Sequence, residues 1–367
     1  MPGADFLSVR TQGHAPETNM TKLALFFDGT WNEPNDRTNA YLLYKLAPES
    51  DEQETLYVPG VGTQGNGLFS LANKFLGGAF GDGLSDNIKH GYAWLCERYR
   101  PGASIYIFGF SRGAYSARSL AGLIRKCGLA NDWSNDSIRQ AYGIYRDKGV
   151  SPEDASVQAY RQQFSREVDV AFIGVWDTVG ELGIPIGGLS VPGFSSYYRF
   201  HDTTLSNRTK AAYHAVAANE YRSLYKPTLW TPGAQARGTL PLEQRWFAGA
   251  HANVGGGYVS PPRDPADLLP LIPAEWLRQK AESHGLTFDK PITIPDAAYA
   301  SAPIDSYTEF TSKNPLLRDV CQKEPRAAGA ALNETIDPSL FDRLDAPGFL
   351  DAYPALREQL RGLPLGQ

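Results

Sequence analysis

Cysteine is scarce in this chain: Cys96, Cys127 and Cys321 are the three in 367 residues, an odd number with no C-x-x-C spacing. That excludes a disulfide framework and a cysteine-built zinc cluster. A basic excess is missing too. Lys and Arg number 35 against 40 Asp and Glu, a net charge of -5, so no surplus of cations is at hand to grip a phosphate backbone, and nucleic acid is not an expected partner. No window approaches the ~18 consecutive apolar residues that a membrane-spanning helix needs. The first twenty residues carry neither a basic n-region nor an apolar h-region, so no cleavable secretory signal is read there. The resulting expectation is a soluble protein, cytoplasmic by default, with export without a cleavable signal left open. Histidines number six, and no pair of them or of carboxylates has metal-ligand spacing, so no metal or cofactor is expected.

What is present is globular in character. Apolar residues make up 42% and charged residues 20%, which argues against wholesale disorder. At roughly 150 residues per domain the length allows two domains, although single α/β domains often exceed that figure. Residues 1–20 are polar and without period, and read as a flexible tail. LALFF (Leu23 to Phe27) is a short continuous apolar run stopped by Asp28-Gly29-Thr30, the pattern of a strand buried on both faces of a parallel sheet. TLYVP (Thr55 to Pro59), SIYIF (Ser104 to Phe108), VDVAFIGVW (Val168 to Trp176) and QRWFAGA (Gln244 to Ala250) are further strand candidates. Between them Leu84, Ile88, Tyr92, Leu95 and Tyr99 fall three or four apart, and Arg112 to Lys126 reads as a helix with Gly128 suited to its C-terminal cap. Arg208 to Tyr225 also has helical character. Strands alternating with helices indicate an α/β fold, a mostly parallel central sheet with helices on both faces.

The central chemical signal is Gly109-Phe110-Ser111-Arg112-Gly113. With this glycine content chance alone supplies about 0.2 copies of G-x-S-x-G in such a length, so the context decides. Here the motif joins a strand to a helix, as a nucleophile elbow requires. Gly109 and Gly113 supply the room for strand and helix to approach around an exposed serine. Such a serine needs a base, and the base an orienting acid. His251 directly follows the apolar run WFAGA and opens a glycine-rich loop, which puts it at the carboxyl end of a strand, where ligands gather in open α/β sheets. His214 fits a helix and reads as a hydrogen-bonded core histidine, while His201 is an intermediate candidate for the base. Asp177 ends VAFIGVW, so it either caps the next segment or faces the site; the catalytic role is favoured. Ser111, Asp177 and His251 then follow in the order of α/β-hydrolases. The oxyanion donors are expected from the backbone N–H of Arg112 and from Gly29 or Thr30, with Asp28 as the turn-former that orients those amides. Gly60, Gly62 and Gly65 match G-x-G-x-x-G, but no βαβ unit with an acidic residue ending its second strand follows, so the stretch reads as a loop rather than a dinucleotide site.

On these residues the chain resembles a known family, the uncharacterised α/β-hydrolase domain that includes the type VI secretion lipase effectors. The stretches that carry the resemblance are FFDGTWN with TNAYLLYKL, GGAFGDGLSDNIKHGYAWL, IYIFGFSRGAYSARSLAGLI, FIGVWDTVG, RFHDTTLS, AYHAVAANEYR and RWFAGAHANVGGGY. They span residues 23 to about 258, with weaker matches to near 345. The resemblance implies an α/β-hydrolase core with Ser111 as nucleophile, Asp177 as acid and His251 as base. It implies ester hydrolysis, phospholipid hydrolysis in effector members, peripheral contact with lipid, and a secretion-machinery or immunity partner. Where the family often has an acidic residue this chain has Asn253, a site-supporting position, and where Asp-Glu is frequent it has Asn219-Glu220.

The function expected is hydrolysis of carboxylic esters, most specifically lipid acyl esters, through an acyl-enzyme. The alternatives are acyl transfer with the same three residues and a catalytically silent scaffold that binds a partner. Because the site residues run from 28 to 251, residues 21–367 read as a single domain. Residues 183–230 would form a lid or helical insertion, and 260–367 a C-terminal extension packed on the core.

Overall fold

The computed structural model describes residues 21–29, 32, 36–61, 79–179, 205–231, 240–257, 268–313, 315, 318 and 321–367. The expected tail at 1–20 lies outside them. Seven strands form the main sheet: β1 (Lys22–Phe27), β2 (Gln53–Val58), β3 (Ser104–Phe110), β6 (Val170–Trp176), β7 (Ala212–Ala217), β8 (Leu242–Phe247) and β9 (Glu334–Ile336). Their spatial order is β2-β1-β3-β6-β7-β8-β9, and every pairing is parallel. Two residues each of β4 (Leu129–Ala130) and β5 (Ser165–Arg166) pair separately and antiparallel. The chain leaves β1 toward one edge to make β2, then crosses back to lay β3 on the other side. The carboxyl ends of β1 and β3 therefore flank the point where strand order reverses, the place where such sheets open a crevice for ligands.

Alternate side chains of each strand feed two cores. On one face Leu23, Leu25, Phe27, Ile105, Ile107, Ile173 and Val175 pack against α2 (Ala79–Arg98) and α3 (Arg112–Cys127). The spacing read from sequence holds there: Leu84, Ile88, Tyr92 and Leu95 are all buried. On the other face Phe26, Phe108, Phe172 and Tyr213 form a row of aromatic contacts across four strands, with centroid separations of 4.8, 5.3 and 5.4 Å. This row is covered by α1 (Asn39–Leu46) and by Trp276 and Leu277 of a later helix (Leu271–Ser283). The architecture is an α/β-hydrolase fold.

One expectation fails. The stretch read as helical between Arg208 and Tyr225, which lies within the 183–230 expected as a lid or helical insertion, contains strand β7, all six residues of which are buried. AYHAVA lies inside the sheet between β6 and β8, where both faces are covered and alternation disappears; alanine-rich runs of this length do not declare their period. The C-terminal extension also contributes more than packing, because β9 pairs with β8 through Gln244, Arg245 and Trp246. Three residues are too few to show a strand pattern. Residues 180–204, which include the first part of the lid candidate (183–204), lie outside the described residues.

Candidate active site

Strand β3 ends at Phe110, helix α3 begins at Arg112, and Ser111 joins them with φ 57° and ψ −120°. A positive φ is rare for a residue with a Cβ and marks stored backbone strain. Two glycines permit this turn. A Cβ on Gly109 would strike the Gly113 carbonyl, and one on Gly113 would strike the carbonyls of Phe27 and Asp28. The first turn of α3 is thereby pressed against the end of β1. Ser111 is fastened from its other side by its own N–H, which donates to the Trp176 carbonyl at the end of β6 at 3.0 Å.

Asp177 follows β6 and also has positive φ, 41°. His251 follows β8 and opens a short helix (His251–Gly255). These three strand ends bring the side chains into one hydrogen-bonded series. His251 Nε2 lies 2.8 Å from Ser111 Oγ, and His251 Nδ1 lies 2.6 Å from Asp177 Oδ2. All three residues are buried, Asp177 completely. The imidazole is flanked by the rings of Phe110 and Tyr225, at 4.8 and 5.0 Å between centroids.

Charge in the site is set by burial and by two arginines. Burial alone would raise the pKa of Asp177, but the Arg326 guanidinium and His251 override it and hold the carboxyl well below the usual carboxylate range. Arg326 Nη1 donates to Oδ1 at 2.5 Å and Nη2 to Oδ2 at 2.9 Å. Glu220 behaves alike: burial opposes ionisation, yet its ion pair with Arg222, at 2.7 Å, brings its pKa down to about 2. Glu220 also accepts the backbone N–H of His251 at 3.2 Å. Burial lowers the pKa of His251 below the ordinary imidazole value, with Asp177 acting in the opposite sense.

The surrounding residues fix the loops. His214 on β7 accepts the Thr178 N–H at Nε2, at 3.0 Å, and burial brings its pKa down to about 3. It is a neutral support for the loop that carries Asp177 and Thr178, in the middle of a strand rather than a helix. Asn253 Oδ1 accepts from Ala250 N–H and Ile304 N–H, both at 3.1 Å, and so ties the histidine turn to a later segment. Asn219 Oδ1 accepts Gly249 N–H at 2.9 Å.

The loop after β1 departs from expectation. Asp28 is buried and accepts from Thr38 Oγ1 at 2.6 Å, Tyr57 OH at 2.7 Å and Gly29 N–H at 2.7 Å. The Gly29 amide, expected as an oxyanion donor, is thus engaged by the side chain of its own neighbour. Burial pushes the Asp28 carboxyl up to about 6. Arg112, as first residue of α3, keeps its backbone N–H at the helix N-terminus beside Ser111. Thr30, His201, Gly62 and Gly65 lie outside the described residues. Among the described residues no group of three His, Cys, Asp or Glu side chains could hold a metal ion, and no helix is long and apolar enough to cross a membrane.

Sequence reasoning missed Arg326 and the part played by Glu220. Glu220 stood in a stretch misread as helix. Arg326 is 149 positions from its partner in an irregular segment, with no local pattern to betray it.

A parallel sheet in this strand order, with a serine on a strained strand-to-helix turn, defines the α/β-hydrolase class. Within it, the chain belongs to the family described as T6SS phospholipase effector Tle1-like catalytic domain, whose model matches residues 21–280. A relative from Saccharomyces cerevisiae, the uncharacterized protein YEL023C, is 29% identical over 300 residues, covering 75% of this chain and 41% of that protein. The crystal structure of an uncharacterized protein from Pseudomonas aeruginosa is similar with a TM-score of 0.43 at 18% identity, over 76% of this chain and 47% of the other. The Tle1 effector bound to the VgrG spike of the Type 6 secretion system gives a TM-score of 0.40 at 19% identity, over 72% and 58%. The chain therefore spans about two-fifths of the length of the curated relative.

Proposed function

We propose that this chain hydrolyses carboxylic esters, specifically acyl esters of lipids or phospholipids, through an acyl-enzyme on Ser111. The observation that carries the reading is the buried series Ser111 Oγ, His251 Nε2, His251 Nδ1 and Asp177 Oδ2, with separations of 2.8 and 2.6 Å. A neutral imidazole accepts the serine proton at Nε2 as Oγ adds to the ester carbonyl, and an ionised Asp177 stabilises the imidazolium that results. The imidazolium then returns its proton to the departing alcohol. Water, deprotonated by the same Nε2, attacks the acyl carbon and releases the acid together with free Ser111. In this reading the Arg112 amide, next after the nucleophile at the start of its helix, supplies one oxyanion donor. A second donor belongs to the loop after β1, with Thr30 the remaining residue of the expected pair.

Lipid as the substrate class rests on family membership, as does a secretion-machinery partner with export from the producing cell. The test is release of fatty acid from phospholipid vesicles and from short-chain esters, together with labelling by a fluorophosphonate. Covalent labelling at Ser111 and fatty-acid release that both vanish in Ser111→Ala are expected. Undiminished release by folded Ser111→Ala would refute the mechanism. Release from short esters with none from any phospholipid would refute the substrate class alone.

A further inference from the structure

We infer that Arg326 is a positioning residue for Asp177, so that the working site extends past the segment matched by the family model. The inference deepens the proposed function, and rests on it, by adding a part that the matched residues 21–280 do not contain.

The geometry is that of a fork closed on a carboxylate. Both terminal nitrogens of Arg326 reach Asp177, at 2.5 and 2.9 Å, one to each oxygen. The same two nitrogens donate onward, Nη1 to the Ala217 carbonyl at 2.8 Å and Nη2 to the Tyr225 carbonyl at 2.6 Å. A planar guanidinium tethered at four points fixes the plane of the carboxylate it holds. Asp177 Oδ1 takes a further hydrogen bond from Ala217 N–H at 3.0 Å, leaving Oδ2 aimed at His251. The arginine is itself held. Its segment runs beside residues 221–225, with Glu324 N–H on the Tyr221 carbonyl at 2.8 Å and Ser223 N–H on the Gln322 carbonyl at 3.0 Å.

A role in stability alone would not require this arrangement, since buried ion pairs can often be exchanged for apolar side chains at little cost. Here the partner is the acid of the proposed series. Among the described residues, the charged and polar groups facing Asp177 and His251 are Ser111 from the elbow, His214 from β7, Glu220, Arg222 and Tyr225 from the segment after β7, and Arg326. Glu220 and Arg222 close on each other, and His214 is neutral at ordinary pH because burial lowers its pKa. Among the described residues Arg326 is thus the cation that balances Asp177. Without it the carboxylate charge falls undivided on His251, and the imidazole holds its proton to higher pH. That removes the neutral base from the acidic side of the profile.

The test measures the His251 ring by NMR titration in the parent, Arg326→Ala and Arg326→Lys, with the resonance assigned through His251→Asn. Removing the arginine should raise the apparent titration point of His251 by about one pH unit, and guanidinium ion added to Arg326→Ala should return it toward the parent. This readout needs no turnover, so it decides the inference even if no ester proves to be a substrate. Where turnover is measurable, kcat should fall about 10²-fold with KM little changed. Should Arg326→Ala not fold, Arg326→Lys keeps the charge without the fork, and a reduced kcat with a smaller upward move is expected. A parental titration point in the folded variants, or parental kcat, would overturn the inference. Loss of folded protein from the Ala variant with wholly parental behaviour of the Lys variant would assign the arginine to stability alone.

Discussion

The backbone amide of Gly29 donates to the carboxylate of Asp28 at 2.7 Å. Asp28 thereby organises the loop beside Ser111 by seizing one of its amides, and the hydroxyls of Thr38 and Tyr57 hold the same carboxylate in place. Asp28→Ala should leave buried donors without an acceptor and lower the unfolding free energy by about 2–3 kcal/mol, measurable by urea denaturation. A loss under half a kcal/mol would mean the loop rearranges freely.

Asp28 and Glu220 should give stability opposite dependences on pH. The Asp28 carboxyl is raised from 3.8 to about 6, so the folded state binds its proton more tightly. The stability this contributes is present below pH ~4 and is lost as pH rises through 6. Glu220 is lowered from 4.5 to about 2, so its contribution is present above pH ~4.5 and is lost as pH falls toward 2. Each amounts to about 3 kcal/mol. Difference curves of parent against Asp28→Asn and against Glu220→Gln, from denaturation between pH 3 and 8, should slope in opposite directions. Parallel slopes would contradict the assignment.

The strain at Ser111 predicts a gain of stability from its loss. At φ 57° glycine is at ease and serine is not. Ser111→Gly should raise the unfolding free energy by about 1 kcal/mol while ester turnover falls at least ~10³-fold. Thermal unfolding and a turnover assay on the same preparation check both halves, and a destabilised variant would contradict the first.

Crowding at the elbow predicts the reverse for Gly113. An added methyl group meets the backbone carbonyls of Phe27 and Asp28 rather than a flexible side chain, so Gly113→Ala should cost about 1–3 kcal/mol. Chemical denaturation measures it, and an unchanged midpoint would show that β1 can withdraw.

Burial of His251 lowers its pKa, so the proposed base stays neutral into mildly acidic solution. The acidic limb of kcat/KM should therefore lie below the ordinary imidazole pKa of about 6.5. A pH–rate profile on an ester whose own chemistry is pH-independent would show it. A limb above 6.5 would indicate that Asp177 governs the imidazole more than its burial does.

Much of this site could be read in the sequence because the fold places it at ends. Ser111, Asp177 and His251 each stand at or just after the close of a short apolar strand, and a parallel sheet gathers those closes on one edge. That logic needs nothing beyond local pattern and chain order. It fails where partners are distant or strands are featureless. Arg326 lies in an irregular stretch and is paired only through the tertiary fold, while β7 is built largely of alanine and is covered on both faces. The direction of the Gly29 amide is a matter of one peptide plane, which composition and spacing do not determine.

The order of parts along the chain has a consequence for synthesis. Ser111, Asp177 and His251, the proposed nucleophile, acid and base, are all made by residue 251, while the arginine that holds Asp177 comes at 326 and strand β9 after it. During translation the chain thus carries its reactive groups for some seventy-five residues before the clamp on Asp177 exists. A newly made polypeptide would acquire a fully held Asp177 only once that stretch has followed, so the proposed hydrolase stays incompletely assembled while it is being made.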